Sequence, residues 1–187
     1  LCNADESPDQ FNRYVDTLRR QRVDGAIVTP TGLGEHAVKD LVDDGVQVVC
    51  VDREVAGSSL PSVTSDPWNG MGEAVDHLLE RGHRRIGFIT GPQQTSTGLE
   101  RYQAYCQLLA EHDVDVVDDL VVEGDYQEES GRVGAGQLLD RGATAVFASD
   151  SLMSMGALRT CLDRGVRIGE DIDLVGFDDL PVFSLTN

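Results

Sequence analysis

The chain has 187 residues and a mass of 20.3 kDa, enough to bury roughly 70% of its extended surface without help from disulfides or a structural metal. Its 33 acidic residues against 15 basic ones give a net charge of −18 at pH 7, which repels phosphate backbones and anionic membranes and makes this stretch alone a poor nucleic-acid binder. No run has the length of a spanning helix and no basic-then-apolar signal opens the chain, so a soluble protein is expected.

The elements follow in chain order. Leu1-Cys2-Asn3-Ala4 reads as the end of a strand, and Ser7-Pro8-Asp9 supplies a cap, a first-turn proline and an acid for a helix reaching Arg20. A strand at Ala26-Ile27-Val28, a helix from Glu35 to Asp44 and a strand at Val48-Val49-Cys50-Val51 come next. After a short strand near Ser62 to Thr64, a helix rises from the Asp66-Pro67-Trp68-Asn69-Gly70 stretch and stops before Gly82. The alternation then repeats: strand Ile86 to Ile89, helix Leu99 to Glu111, strand Leu120 to Val122, helix Gln127 to Asp140, strand Ala145 to Ala148, helix Leu152 to Asp163 and strand Leu174 to Phe177.

Four helices run out into a glycine (Gly45, Gly82, Gly142, Gly165) that can close them in the left-handed conformation. The strands are short, nearly continuous apolar runs, as parallel sheets covered on both faces require. This is an α/β fold of two Rossmann-like lobes with parallel sheets flanked by helices. The expected division is an incomplete N-terminal lobe at 1–82, a C-terminal lobe at 83–180 and the start of a crossover back at 181–187.

Ligands of open parallel sheets bind beyond the carboxyl ends of the strands. The residues standing there are Thr29, Asp52 and Arg53, the Asp66-to-Asn69 stretch, Gly91, Asp125 and Tyr126, Ser149 and Asp150, and Asp178 and Asp179. Carboxylates, hydroxyls and aromatic rings suit a neutral polyhydroxyl ligand, through hydrogen bonds and stacking on the apolar face of a sugar. Plainer roles compete. Asp125 with Glu128 and Thr97 with Glu100 have the spacing of capping boxes, and Asp150 can cap the helix behind it. Trp68 and Tyr126 can simply pack. Arg101 falls near the start of a helix, an unfavourable end for a cation, which points to a ligand or a buried acceptor.

Catalytic patterns are missing. The four histidines (His36, His77, His83, His112) show no metal-ligand spacing, His83 after Gly82 fits a structural hydrogen bond, and there is no nucleophile elbow, phosphate loop or dinucleotide glycine motif. No enzyme, metal or cofactor is expected. Cys2, Cys50, Cys106 and Cys161 are widely spaced, and three sit in apolar patterns, which fits reduced thiols in an intracellular compartment.

One run, Gly82-His83-Arg84-Arg85-Ile86-Gly87-Phe88-Ile89-Thr90-Gly91-Pro92, followed at an interval by Arg101, is the most specific motif in the chain. With Val23 to Val28, the Asp66-to-Gly70 stretch, Gly124-Asp125-Tyr126, Ser149-Asp150 and Asp171 to Asp179, it resembles the effector-binding core of LacI/GalR-family transcriptional regulators over essentially the whole chain. The resemblance implies a type I periplasmic-binding-protein-like pair of lobes, truncated here at both ends, that closes on a small effector such as a sugar, sugar phosphate or purine. It implies that Arg101 and Asp178 hydrogen-bond to the ligand, Tyr126 stacks on it, Ser149 stands where Asn is frequent, and Thr29 contributes from the first lobe. Asp66 and Trp68 match the polar and aromatic ends of the first-lobe motif, and Asp150 the acidic residue beside Ser149.

Pro67 and Ser149 depart from the family pattern, so the effector is not to be copied from a known member. The resemblance further implies a cytoplasmic homodimer that contacts operator DNA through a headpiece absent from this chain and changes operator affinity on binding effector. The rival expectation is an exported sugar-binding protein of a transporter or chemoreceptor.

Overall fold

A computed structural model describes residues 1–32 and 34–185. Its helices and strands alternate as α1 (Pro8–Gln21), β1 (Gly25–Val28), α2 (Glu35–Asp43), β2 (Gln47–Val51), β3 (Ser62–Val63), α3 (Trp68–Glu80), β4 (Ile86–Thr90), α4 (Ser96–Glu111), β5 (Val121–Glu123), α5 (Glu128–Asp140), β6 (Ala145–Ala148), α6 (Ser151–Asp163) and β7 (Asp173–Gly176). Short 3-10 turns occupy Asp118–Leu120 and Pro181–Leu185. The last two residues of the expected 181–187 crossover lie outside the described residues.

Two compact units form: residues 1–66 with 94–97, and residues 67–93 with 98–187. Each holds an all-parallel sheet, ordered β1-β2-β3 in the first and β5-β4-β6-β7 in the second. Helix α3 belongs to the second unit although the sequence division at Gly82 set it in the first. The reason is its apolar face: Met71, Val75, Leu78 and Leu79 pack with Ile86, Phe88, Tyr105 and Phe147. Residues 1–4 form no strand, and Leu1 is fully exposed. A strand needs a partner ladder, and β1 pairs with β2 alone.

The second sheet is buried on both faces. Phe88 and Phe147 point with Ile86 and Ala145 into the layer of α3 and α4, where Phe88 stacks on Tyr105 with centroids 4.4 Å apart and meets Phe147 edge-on at 5.7 Å. Ile89, Val146 and Ala148 face α5 and α6. Those two helices touch backbone to backbone. A Cβ on Gly156 would lie 2.0 Å from the Glu128 carbonyl oxygen, and one on Gly131 would lie 2.1 Å from that of Met153.

In the first unit α1 and α2 share one side of the sheet, giving a core of Phe11, Val15, Val28, Val38, Leu41, Val48 and Cys50. The other side bears Ile27 and Val63, which are 78% and 65% exposed. Coverage of both faces, expected from the apolar strands, therefore holds for the second sheet and not for the first among the described residues.

The four helix-ending glycines all have positive φ, from 67° to 91°. Each closes its helix with the same pair of backbone bonds: Gly45 N–H to Val42 O and Val46 N–H to Leu41 O, then Gly82 to Leu79 and His83 to Leu78, Gly142 to Leu139 and Ala143 to Leu138, and Gly165 to Leu162 and Val166 to Cys161. At this amino-terminal edge of the second sheet, His83 bridges Thr144 (Nδ1 to Oγ1, 3.0 Å) and Asp173 (Nε2 to Oδ2, 2.7 Å), while Arg81 grips both Asp173 oxygens. Burial pushes the Asp173 carboxyl up, but the hydrogen bonds and charges of Arg81 and His83 outweigh it and hold the group below the ordinary carboxylate range. The structural role expected for His83 is thus visible in its partners.

Candidate functional site

Because β4 to β7 are parallel, their carboxyl ends share one edge, and the chain there reads Gly91, Gly124-Asp125-Tyr126, Ser149-Asp150 and Phe177-Asp178. From β4 the chain continues to β5 on one side, and from β6 to β7 on the other. The connections after β4 and β6 therefore run to opposite sides, and ligands of such sheets usually bind in the crevice at that switch. Ser149 N–H still reaches the Ile89 carbonyl at 3.0 Å across the base of that crevice.

Arg101 fills it from the side. Helix α4 starts at Ser96, three residues before the sequence places it, so Thr97 falls in the first turn and Arg101 in the second. The side chain is 8% exposed. Its Nη1 donates to the Ser149 carbonyl at 2.6 Å, and its guanidinium carbon lies 3.7 Å from the centre of the Phe177 ring. Among the described residues no carboxylate pairs with it and no acceptor takes its Nε or Nη2. A nearly buried cation is thus held by a carbonyl dipole and a π face, with two donors left for something else.

Ser149 is fully buried, and its Oγ has no partner among the described residues. Asp150 is the N-cap of α6, accepting the Met153 N–H at 3.0 Å, so the expected cap is present. Burial raises its carboxyl above the ordinary value, a rise offset in part by amides of the first turn and by the charge of Arg101.

Tyr126 has φ +63° and is 4% exposed. Its ring lies over Gly91, where a Cβ would come within 2.4 Å of it. The neighbouring Asp125 makes an Asx turn, its Oδ1 accepting Gln127 N–H at 3.0 Å, and Gln127 is the N-cap of α5 without a side-chain bond. The capping box expected for Asp125 and Glu128 does not form, because the helix begins two residues after the spacing would need. Asp178 follows β7 at φ +71° and is exposed. Trp68 opens α3, half-buried against the core of Phe88 and Tyr105.

In the first unit Thr29 is exposed directly after β1, and Asp66 is exposed where that unit ends. Arg53, at the end of β2, is buried and forked onto Glu6 at 2.7 and 2.9 Å. That bidentate pair ties the turn before α1 to the sheet.

One contributor escaped the sequence reading, and another was collected there for its position alone. Phe177 was read as the last residue of a strand, whereas β7 ends at Gly176 and the ring just past it lies under Arg101. Gly91 gave no signal beyond its position after a strand; the bulk of Tyr126 is what demands a glycine there. No group of three His, Cys, Asp or Glu side chains among the described residues could hold a metal ion, and no described helix is long and apolar enough to cross a membrane.

A family model described as a periplasmic binding protein-like domain matches residues 75–187. The chain belongs to the periplasmic-binding-protein-like family, in its LacI/GalR branch. Its sequence is 32% identical to the HTH-type transcriptional repressor PurR of Proteus mirabilis over 96% of this chain and 54% of that protein. A crystal structure of a probable LacI family transcriptional regulator from Corynebacterium glutamicum superimposes with a TM-score of 0.88 at 36% identity, covering 98% of this chain and 70% of the other. The transcriptional regulator CelR in complex with cellobiose gives a TM-score of 0.79 at 34% identity, over 94% of this chain and 55% of that one. The chain spans about half the length of the curated relatives it matches. What it shares with these LacI/GalR regulators is the effector-binding domain.

Proposed function

We propose that this domain binds a neutral polyhydroxyl ligand, a sugar, at the carboxyl edge of the second sheet. Binding shifts the affinity of a cytoplasmic homodimer for operator DNA, which separate headpieces contact. The observation that carries the reading is the state of Arg101: buried, anchored by one nitrogen on the Ser149 carbonyl and holding unused donors, beside a buried Ser149 hydroxyl that lacks a partner among the described residues. A buried hydroxyl without a partner is costly unless a ligand satisfies it. At that edge Arg101 is outnumbered by Asp125, Asp150 and Asp178, an arrangement that favours hydroxyls over phosphates. The likeness to a regulator solved with cellobiose supports the same class. Thr29, Asp66, Trp68 and Tyr126 stand as further proposed ligand residues.

The test is a thermal-shift series on the full-length protein with monosaccharides, cellobiose, sugar phosphates and adenine, followed by calorimetry on whatever stabilises it. A neutral sugar is expected to raise the melting midpoint. Arg101→Ala should weaken its binding by about 1.5–3 kcal/mol through loss of a charged hydrogen bond, leaving ligand-free operator affinity intact. Stabilisation by phosphorylated sugars alone, or an unchanged affinity in the variant, overturns the reading.

A further inference from the structure

A guanidinium on a four-bond stem samples many rotamers, and a donor fork that must meet a ligand in one plane has to be held there beforehand. The Ser149 carbonyl fixes one corner of the Arg101 fork. A single bond leaves the plane free to turn about the Nη1···O axis. Phe177 supplies the missing constraint, since the guanidinium carbon rests 3.7 Å from its ring centre.

The ring is itself placed by the sheet. Strand β7 pairs with β6 as Phe147 with Val175 and Ala148 with Gly176. Phe177 N–H then donates to the Ala148 carbonyl at 3.0 Å, one residue before the carbonyl that Arg101 uses. Carbonyl and ring therefore sit just past the ends of adjacent strands in fixed register, so the plane of Arg101 is set from the edge of the sheet. Phe177 also packs against the core of Phe88, Tyr105 and Phe147, which keeps the ring from turning aside.

We propose that Phe177 is a positioning residue. Its ring, together with the Ser149 carbonyl, locks the guanidinium so that Nε and Nη2 present two parallel donors to a ligand. Two parallel N–H groups suit two adjacent oxygen atoms, such as a vicinal diol. This rests on the reading of Arg101 as a ligand residue, and the experiment separates the two.

In the full-length protein, the side-chain Nε–H resonance of Arg101, assigned by its loss in Arg101→Lys, should show the upfield ring-current shift of a proton held over an aromatic face before any ligand is added. Phe177→Leu, with Phe177→Met in its place should the Leu variant not fold, keeps apolar bulk and removes the ring. The resonance should return towards the position of a free arginine, and affinity for cellobiose or D-ribose, whichever titrates the wild type, should fall about tenfold. Phe177→Tyr restores the ring and should recover both the shift and the affinity to within about twofold.

An unmoved resonance in the Leu or Met variant overturns the proposal. So does an equal loss of affinity in the Tyr and Leu variants, which would mark a packing role only. Should neither sugar titrate the wild type, the proposed sensing of those sugars fails, and the resonance alone still decides whether Phe177 holds Arg101.

Discussion

The two units are written in the same alphabet and packed differently. Strand β1 with Ala26, Ile27 and Val28 is as apolar as β6 with Ala145, Val146, Phe147 and Ala148. Every residue of β6 is buried, whereas Ile27 is 78% exposed. The difference lies in the helices: α1 and α2 share one side of the first sheet, while α3 and α4 oppose α5 and α6 across the second. Apolar strand composition reports the capacity for two-sided burial, and only the placement of helices realises it. The unit with the sandwiched sheet also holds the anchored arginine, so the packing that buries its strands also places the Ser149 carbonyl and the Phe177 ring around it.

That contrast can be broken most sharply at the helix pair of the second unit. Gly156→Leu must push α5 from α6, because the new side chain would start 2.0 Å from a backbone oxygen. A loss of more than about 4 kcal/mol is expected, seen in chemical denaturation as an early transition of the second unit. A variant within about 1 kcal/mol of wild type would mean that the close helix contact is not made in solution.

The next effect concerns the polar lock at the opposite edge. Asp173→Asn leaves Arg81 and His83 without their shared carboxylate and should cost about 1.5–3 kcal/mol at pH 7. Since the native carboxyl is depressed, its contribution is complete above the unfolded value of about 3.9 and is lost as pH falls through the lower native one. The wild type should therefore lose its advantage over the Asn variant below about pH 4, and equal acid sensitivity in both would refute the lock. The exposed pair Arg19–Asp44 of the first unit, at 2.6 Å, should instead respond to added salt.

The smallest effect is expected on the uncovered face. Ile27→Thr should change stability by less than about 0.5 kcal/mol, because 78% of the residue is already in water. A loss above about 2 kcal/mol in the full-length protein would show that something covers this face there.

Much of this architecture was legible in the chain. The glycine after each of four helices named the helix end and the turn, because a left-handed residue at that point is a local steric demand. Asp150 as a cap was readable for the same reason. What could not be read depends on contacts distant in sequence. The membership of α3 in the second unit is decided by its partners Phe88 and Tyr105, not by its own pattern. Strand β7 stops one residue earlier than its apolar run suggests, and that residue, Phe177, stays packed on the core while its ring also lies under Arg101. Glu6 reaching Arg53 spans 47 positions and leaves no local trace.

The four glycine-closed helix ends have an evolutionary consequence. Each is made of main-chain bonds, so the turns that feed the strands keep their form whatever side chains surround them. On the function proposed above, the loops beyond the other ends would carry the side chains that discriminate among ligands. Exchanging Ser149, Asp178 or Thr29 would retune recognition without reopening the fold, a separation of grammar from vocabulary that lets one scaffold be respecified many times.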